Sequence, residues 1–344
     1  MKKLRVFQTV KIKRIVPGFS PGNLGTVFLF FILTPYLITF FLGNLREGNG
    51  EQAAFTQTGK EDACLVFVSN EASFGSEMIP IEDYVADKLA RSMDENYEME
   101  ALKAQAVLIR SNLLAEIAEE DRYSTEGSMQ GYKKKIQVKD PDYGKTLIKE
   151  NILEAVAKTK GVYITYEGRP AGGAYFAVSN GKTRNAREMA LEEYPYLLSV
   201  PCERDFLSEN FNSFTVYKEK EFEKIWKSIK GWQITEDEIL EKEGITVQKA
   251  MEKYTLYRDS ADYVLYIERE GMYVSGEQFR KAFGLSSASF HFNKEEGQVI
   301  ITVKGSGHGL GMSQFGANEM ARQGSDYIHI LNYFFQNVTI TKFE

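Results

Sequence analysis

Residues 27–42 form an unbroken run without a charged side chain, VFLFFILTPYLITFFL, and this run restricts the chain more than any other feature. Extended to its flanks, from Leu24 to Leu45, it supplies roughly the 20 residues that a helix needs to cross a bilayer. Pro35 lies in its middle, where a transmembrane helix tolerates proline better than a soluble helix does. We therefore predict a single transmembrane anchor over residues 27–45.

The segment before the anchor is basic. Residues 1–46 hold seven of the 42 Lys and Arg residues and none of the 48 Asp and Glu residues. Positive flanks stay on the cytoplasmic side of a membrane, so residues 1–26 are predicted to be cytoplasmic and the body of the chain extracytoplasmic. A cleaved signal peptide is the alternative. The basic region is long for a signal peptide, however, and no A-x-A-like cleavage site follows it.

The composition of the body excludes several function classes. Beyond residue 46 the chain has 35 basic and 48 acidic residues, a net charge of −13, which argues against a nucleic acid as partner. Its cysteines, Cys64 and Cys202, could form one disulfide, but the sequence does not establish their pairing. The histidines, His291, His308 and His329, lack the spacing of metal ligands, so neither a metal site nor a cofactor is predicted.

The pattern of apolar residues predicts an α+β fold. Residues 46–74 are expected to form a polar linker and a first strand, and residues 75–344 one domain. Segments with three- and four-residue periodicity are interspersed with alternating segments, without a regular βαβ order. The predicted helices are Ile81–Met93, Met99–Ala118, Ile152–Thr159, Val274–Gly284 and Gln314–Arg322. The other predicted elements are a strand at Ala63–Ser69, a loop over 119–150, and hairpins at Gly161–Ser179 and Ser289–Lys304.

Four motifs follow one another along this domain. They are EALKAQAV at Glu100–Val107, SNGKT at Ser179–Thr183, YPYLLSV at Tyr194–Val200 and GHGLGMSQFGA at Gly307–Ala317. In residue types and order, these motifs resemble the hallmarks of the stage II sporulation protein D and amidase enhancer family. Members of that family act on the bacterial cell wall and are usually tethered by one N-terminal anchor. The resemblance therefore implies a peptidoglycan-active protein of the cell membrane whose family domain covers residues 75–344.

The resemblance also implies a reaction. The best-known activity in the family is that of a lytic transglycosylase, which cleaves the MurNAc–GlcNAc bond of glycan strands without stem peptides and closes an anhydro ring. This chemistry requires a carboxylic acid that protonates the glycosidic oxygen. The family places a glutamate for this purpose in an A-A-E-M-P segment, which corresponds to Ala90–Asp94 here. Ser92 occupies the position of that glutamate.

Serine cannot replace the central catalytic group at this position, because a hydroxyl is far too weak an acid to protonate a leaving oxygen at neutral pH. Ser92 itself is therefore predicted to be non-catalytic. Glu95, roughly 5 Å or one helical turn further on, is the candidate for a relocated acid. The alternative is that Glu95 is a solvated charge at the end of a helix.

Several residues of the motifs are candidates for glycan binding. They are Lys103, Gln105, Arg110, Ser179, Gly181, Thr183, His308, Gly309, Ser313 and Gln314. The glycines around His308 permit close approach of the backbone to a ligand, which favours a binding role for this histidine. Ser313 is at least as well explained as the N-cap of the following helix. Lys103 and Gln105 either line the cleft or belong to a packed amphipathic helix.

Two functions remain open from the sequence. In the first, the protein binds denuded glycan strands, or modulates a cell-wall amidase, during sporulation or wall remodelling. In the second, it is an active lytic transglycosylase whose acid is Glu95. Retained motifs with a lost acid favour the first function, because binding requires the cleft but not the proton donor. A structural subunit of a wall complex without glycan affinity is a third possibility.

Protease added to intact protoplasts is expected to remove the body of the protein, because the basic head orients the anchor with its C-terminal side outward. Immunoblots against tags at the two ends of the chain check this. The C-terminal tag should disappear, while the N-terminal tag should survive until the membrane is permeabilised. Protection of the C-terminal tag in intact protoplasts would contradict the orientation.

Overall fold

The computed structural model describes residues 65–69, 76–121, 136–232 and 244–343. These residues belong to one unit, Glu47–Glu344. The predicted anchor at 27–45 and Cys64 lie outside the described residues. Across the described ranges, no helix is both long and apolar enough to cross a membrane.

Helices and strands are mixed along the described chain without a repeating βαβ order, which confirms the α+β class. The helices in these ranges are α1 Ile81–Ser92, α2 Met99–Asp121, α3 Glu150–Lys158, α4 Glu219–Ser228, α5 Gly276–Ala282, α6 Gln314–Arg322 and α7 Tyr327–Phe334. The strands are β1 Leu65–Ser69, β2 Ser76–Pro80, β3 Ile136–Lys139, β4 Val162–Tyr166, β5 Arg169–Pro170, β6 Tyr175–Phe176, β7 Asn212–Lys218, β8 Thr246–Ala250, β9 Tyr254–Arg258, β10 Val264–Arg269, β11 Met272–Ser275, β12 Phe290–Glu295, β13 Gln298–Lys304, β14 Met312–Ser313 and β15 Thr339–Lys342.

These strands form small sheets rather than one large sheet. Their orders are β2-β1-β3, β15-β4-β5, β14-β6, β12-β13-β7 and β11-β10-β9-β8. The β1–β3 and β6–β14 pairs are parallel. Both parallel pairs join segments far apart in sequence, and the β6–β14 pair joins the chain just before the SNGKT motif to the GHGLGMSQFGA motif.

Helix α2 organises the part of the domain that contains the motifs. It packs against α1, α3, α6, α7 and β4. Ala101, Ala104 and Ala106 are fully buried, and their small side chains allow these neighbours to approach closely. Gln105 and Arg110 are also fully buried, so neighbouring elements cover this helix on most sides.

A second core lies between the sheets β12-β13-β7 and β11-β10-β9-β8 and helices α4 and α5. It is an aromatic cluster in which the Phe279 ring stacks on Phe283 at 4.2 Å and on Phe290 at 4.8 Å between centroids. Phe222 of α4 packs against Phe283 at 4.8 Å. All four side chains are buried, so they hold α4, α5 and β12 together.

The structure differs from the sequence prediction in two segments. The predicted loop 119–150 begins with the last residues of α2 and contains β3, which pairs with β1, so only residues 140–149 of its described part are irregular. The predicted hairpin Gly161–Ser179 ends early, at β5, and β6 pairs with β14 instead. Gly173, between β5 and β6, packs closely on α2, since a Cβ there would lie 2.4 Å from the Leu108 side chain. Alternation in a sequence identifies a strand but does not identify its partner.

A buried charge cluster fixes the end of α1. Arg91 donates to both Asp87 and Asp140, with 2.7 Å from Nη2 to Asp140 Oδ2, and its side chain is only 6% exposed. Tyr84 donates to the same Asp140 oxygen at 3.1 Å. The backbone N–H of Gly144 donates to Asp87 at 2.9 Å. These bonds attach the segment that follows β3 to α1, one residue before Ser92.

Substituting Asp140 with Ala is expected to lower the free energy of unfolding by roughly 3 kcal/mol, because Arg91 would remain buried with one carboxylate instead of two. Urea unfolding followed by tryptophan fluorescence measures this. Asp142→Ala is the matched control, since Asp142 pairs with the exposed Lys145, and we expect a change below about 0.5 kcal/mol. Equal unfolding midpoints for the two variants would contradict the proposed importance of the Arg91 cluster.

Candidate functional site

The candidate cleft begins at the last residue of α1, Ser92. Gln314, the first residue of α6, donates from Nε2 to the Ser92 carbonyl at 2.7 Å and to Gln105 Oε1 at 3.3 Å. The Tyr175 hydroxyl is hydrogen-bonded to the Ser92 side chain. Segments that are widely separated in sequence therefore meet at the position where the family motif has its glutamate.

The groups that meet at Ser92 are hydroxyls and amides. Burial raises the pKa of the Tyr175 phenol to about 12, although its hydrogen bond with Ser92 and the nearby Arg91 charge oppose this shift. A phenol with such a pKa is a poor proton donor at neutral pH. These groups can donate and accept hydrogen bonds, as a sugar requires, but none of them is a suitable general acid.

The structure places Glu95, the candidate acid, in an ion pair. Its carboxylate contacts Lys149 Nζ, and its backbone carbonyl accepts from Asn151. Lys149 is the N-cap residue of α3, so this contact ties the turn after α1 to that helix. Glu95 is thus engaged with the start of α3, whereas Ser92 is engaged with Gln314.

Two other candidates on α2 also have structural partners. Arg110 is fully buried and donates to Glu82 of α1 and, at 2.8 Å, to the Val162 carbonyl. Lys103 is half-buried; its Nζ lies 2.6 Å from Glu100 Oε1 and over the Tyr327 ring of α7. Gln105 is therefore the α2 candidate that the structure brings together with Ser92 and Gln314.

The glycine-rich loop places His308 against backbone groups. Its Nδ1 accepts from the Leu310 N–H at 3.1 Å, so Nε2 carries the proton and donates to the Tyr175 carbonyl, also at 3.1 Å. Burial lowers the pKa of His308 to about 3, and the charges of Arg280 and Arg184 add to this effect. His308 is therefore neutral at physiological pH, with both ring nitrogens bonded to the loop and to β6.

This loop depends on its glycines. Gly309 has φ +80° and Gly311 has φ +78°, a region that other residues rarely adopt. A Cβ at Gly309 would lie 2.5 Å from the Tyr263 ring, and one at Gly311 would lie 2.1 Å from the Ala174 carbonyl oxygen. Both positions therefore require glycine for two reasons, the backbone conformation and the close packing beneath the loop.

The SNGKT motif forms a turn beside this loop. The Gly181 N–H donates to Ser179 Oγ at 3.1 Å, and Gly181 has φ +118°. Thr183 donates to the Leu198 carbonyl and accepts from the Val200 N–H, which joins this motif to YPYLLSV. Asn180 has no positive φ and donates to the Ala261 carbonyl, so the turn does not require glycine at this position.

Asp205 is a residue of this region that the sequence analysis missed. Its Oδ2 accepts from the Ser179 N–H and from Ser313 Oγ, both at 2.6 Å. Ser313 is also the N-cap of α6, as one reading of the sequence predicted, because its Oγ accepts from the Gly316 N–H. Nothing in the spacing of the motifs distinguishes Asp205 from the other acidic residues.

Exposure divides the sequence-predicted residues into two groups. Ser92, Glu95, Lys103 and Gly181 are half-buried. The remaining candidates are buried: Gln105, Arg110, Ser179, Thr183, His308, Gly309, Ser313 and Gln314. Within the described ranges, no group of three or more His, Cys, Asp or Glu side chains is placed to hold a metal ion.

Comparison with known proteins identifies the family. The family model described as Stage II sporulation protein matches residues 71–166. The chain is 32% identical over 310 residues to Stage II sporulation protein D of Bacillus amyloliquefaciens, which covers 87% of this chain and 83% of that protein. The chain belongs to the stage II sporulation protein D family. The resemblance drawn from the motifs is thereby confirmed.

Two further relatives extend this assignment. Stage II sporulation protein D of Bacillus subtilis is 30% identical over 298 residues, covering 83% of this chain and 81% of the relative. A protein named Amidase enhancer, also from Bacillus subtilis, is 26% identical over 297 residues, which is 74% of this chain but 40% of that protein. The family assignment therefore rests on similarity along most of the chain, well beyond the four motifs.

The buried, neutral His308 predicts that this family member loses stability in acid. The pKa of His308 is about 3 in the folded protein, against an ordinary value of 6.5, so the unfolded chain binds the proton first as pH falls. Stability should be complete above pH 6.5 and decrease towards pH 3, by up to about 1.4 kcal/mol per pH unit.

The variant His308→Gln isolates this effect, because its amide can still donate to the Tyr175 carbonyl but does not titrate in this range. Free energies of unfolding for both proteins, measured from neutral to acidic pH, should converge as the pH falls. Carboxylate titrations affect both proteins alike and cancel in the difference. Parallel stability curves would contradict the assignment of a neutral, buried His308.

Proposed function

We propose that this protein is a membrane-anchored, extracytoplasmic member of the sporulation cell-wall machinery that binds denuded glycan strands without cleaving them. The observation that carries this proposal is the replacement of the family's general acid by Ser92, inside a cleft whose other motifs are kept. The relatives named Stage II sporulation protein D support a role in sporulation.

The groups at the cleft suit an uncharged, polar ligand. Ser92 is hydrogen-bonded to Tyr175 and Gln314, and Gln314 to Gln105, so the groups around Ser92 are amides and hydroxyls, which can pair with sugar hydroxyls and N-acetyl groups. The half-buried Ser92 and Gly181 offer contact surface, while the buried residues fix the loops behind them. Binding of this kind needs shape and hydrogen bonds but no proton transfer.

Two carboxylates near Ser92 in sequence, Asp87 and Glu95, are committed to other contacts. Asp87 shares Arg91 with Asp140, and Glu95 contacts Lys149. An acid at Glu95 would have to leave this ion pair and reach a glycosidic oxygen that the family's glutamate meets one turn earlier. Displacements of about 1 Å already cost roughly a hundredfold in rate, so this geometry favours binding over the alternative of an active transglycosylase with Glu95 as its acid.

Modulation of a cell-wall amidase is a second candidate function. The relative named Amidase enhancer favours it, and binding to glycan would place the protein next to such an enzyme. The similarity extends over only 40% of that relative, so it supports the amidase role less strongly than the other relatives support a role in sporulation. Both roles assign the protein to the same compartment and the same polymer.

The experiment compares the full-length wild-type chain in mild detergent with Ser92→Glu, using denuded glycan strands as substrate. Wild-type protein is expected to sediment with the strands and give little or no anhydro-sugar product. Ser92→Glu should release that product, because general acid catalysis contributes a factor of about 10² to 10⁴. Arg91 is already occupied by Asp87 and Asp140, so it should not neutralise the new carboxyl group.

Ser92→Gln is the matched control, since it adds similar bulk without an acid. Product from Ser92→Glu but not from Ser92→Gln would support a cleft that lacks only its proton donor. Wild-type activity that Glu95→Gln abolishes would instead establish the relocated acid. Wild-type protein that neither sediments with glycan nor cleaves it would contradict both functions.

A further inference from the structure

Asp205 lies beneath the two loops of the cleft and is fully buried. One of its oxygens, Oδ2, accepts hydrogen bonds from the Ser179 backbone and from the Ser313 side chain, both at 2.6 Å. Ser179 opens the SNGKT turn, and Ser313 belongs to the GHGLGMSQFGA motif, 134 residues further along the chain. A single carboxyl group thus connects two of the four family motifs.

The start of α6 is fitted closely around this carboxyl group. A Cβ at Gly316 would lie 2.9 Å from Asp205 Oδ1, so only glycine leaves room in the first turn of the helix. Oδ1 itself has no hydrogen-bond partner among the described residues. The N-terminus of a helix stabilises a nearby negative charge, which compensates in part for the burial of Asp205.

A catalytic role for Asp205 does not fit this geometry. Burial raises the pKa of its carboxyl group, which is a property that general acids share, and the hydrogen bonds from Ser313 and Ser179 oppose the shift. However, the side chain has no exposed surface, and its bonded oxygen faces Ser179 and Ser313. It cannot reach a sugar that occupies the cleft, so any effect on binding must pass through these two serines.

We infer that Asp205 is a positioning residue that fixes the SNGKT turn and the start of α6 relative to each other, and thereby places the Gln314 amide against Ser92. Gln314 follows Ser313 directly, so a shift of Ser313 displaces the amide that donates to the Ser92 carbonyl. This inference rests on the proposed function for its binding readout. Its structural part stands independently, because it concerns contacts within the protein.

The test uses the full chain with denuded glycan strands as the probe. Asp205→Ala removes both hydrogen bonds and is expected to weaken binding about tenfold or more, as the Ser179 N–H and Ser313 hydroxyl would be left without their buried acceptor. Asp205→Asn keeps an oxygen that can accept both bonds and should remain within about threefold of wild type. Glu82→Gln, which weakens the separate contact with Arg110, is the matched control and should not change binding.

A double-mutant cycle separates positioning from general destabilisation. If Asp205 acts through Ser313, the double variant Asp205→Ala/Ser313→Ala should lose less binding than the two single losses combined, because both single variants remove the Asp205–Ser313 bond and only Ser313→Ala removes the cap on Gly316. Additive losses would overturn the inference. Should Asp205→Ala fail to fold, Asp205→Ser takes its place, since its short hydroxyl cannot reach both partners.

Hydrogen exchange of the Ser179 amide gives a readout that does not require glycan. This amide should exchange at least tenfold faster in Asp205→Ala than in wild type, because its acceptor is lost. In Glu82→Gln its exchange should be unchanged. Unchanged exchange, or unchanged glycan binding by Asp205→Ala, would overturn the inference. If wild-type protein does not bind glycan at all, the proposed function fails, and faster exchange would still support Asp205 as the residue that holds the two loops.

Discussion

The side-chain amide of Gln314 joins the two ends of the domain at the cleft. It donates to the Ser92 carbonyl, 222 residues away in sequence, and to Gln105 Oε1, 209 residues away. Buried amides need such partners, because an unsatisfied polar group in the interior costs about 1–3 kcal/mol. The end of α1, the middle of α2 and the start of α6 must therefore keep fixed positions relative to one another. This arrangement is supported by the glycine-rich loop, the SNGKT turn and Asp205, which pack behind these residues.

Arg91 and Ser92, two of the residues that depart from the family motif, have different structural consequences. Ser92 removes a carboxyl group from the cleft but leaves its backbone carbonyl in use. Arg91 places a guanidinium group between Asp87 and Asp140, where burial would raise the pKa of Asp140 but the hydrogen bonds from Arg91 keep it below its usual value. The cation thus stabilises the segment after β3 on α1 and is itself fully engaged. The loss of an acid at Ser92 therefore occurs beside a well-formed helix end rather than a disordered one.

Most of the candidate site residues in this chain are buried and bond within the protein. His308 illustrates this, because both of its ring nitrogens bond to backbone groups of its own loop and of β6. A histidine held in this way determines the shape of the loop whether or not a ligand is bound. Ser179, Thr183 and Ser313 likewise bond within the protein. Motifs that look like ligand contacts in a sequence can thus persist for the geometry that they impose on their neighbours.

The family, the α+β class and the positions of α1, α2 and α6 could be predicted from the sequence, because helix periodicity, capping residues and motif order are local properties. The sequence also showed Ser92 as a departure from the family pattern and offered a helix cap as one of two roles for Ser313. The folded domain was needed to show that β6 pairs with β14, that Glu95 contacts Lys149, that His308 is neutral and that Asp205 joins two motifs. Each of these depends on which distant segments meet and on how completely water is excluded between them. Such contacts are set by packing of the whole domain, and no local pattern of residues encodes them.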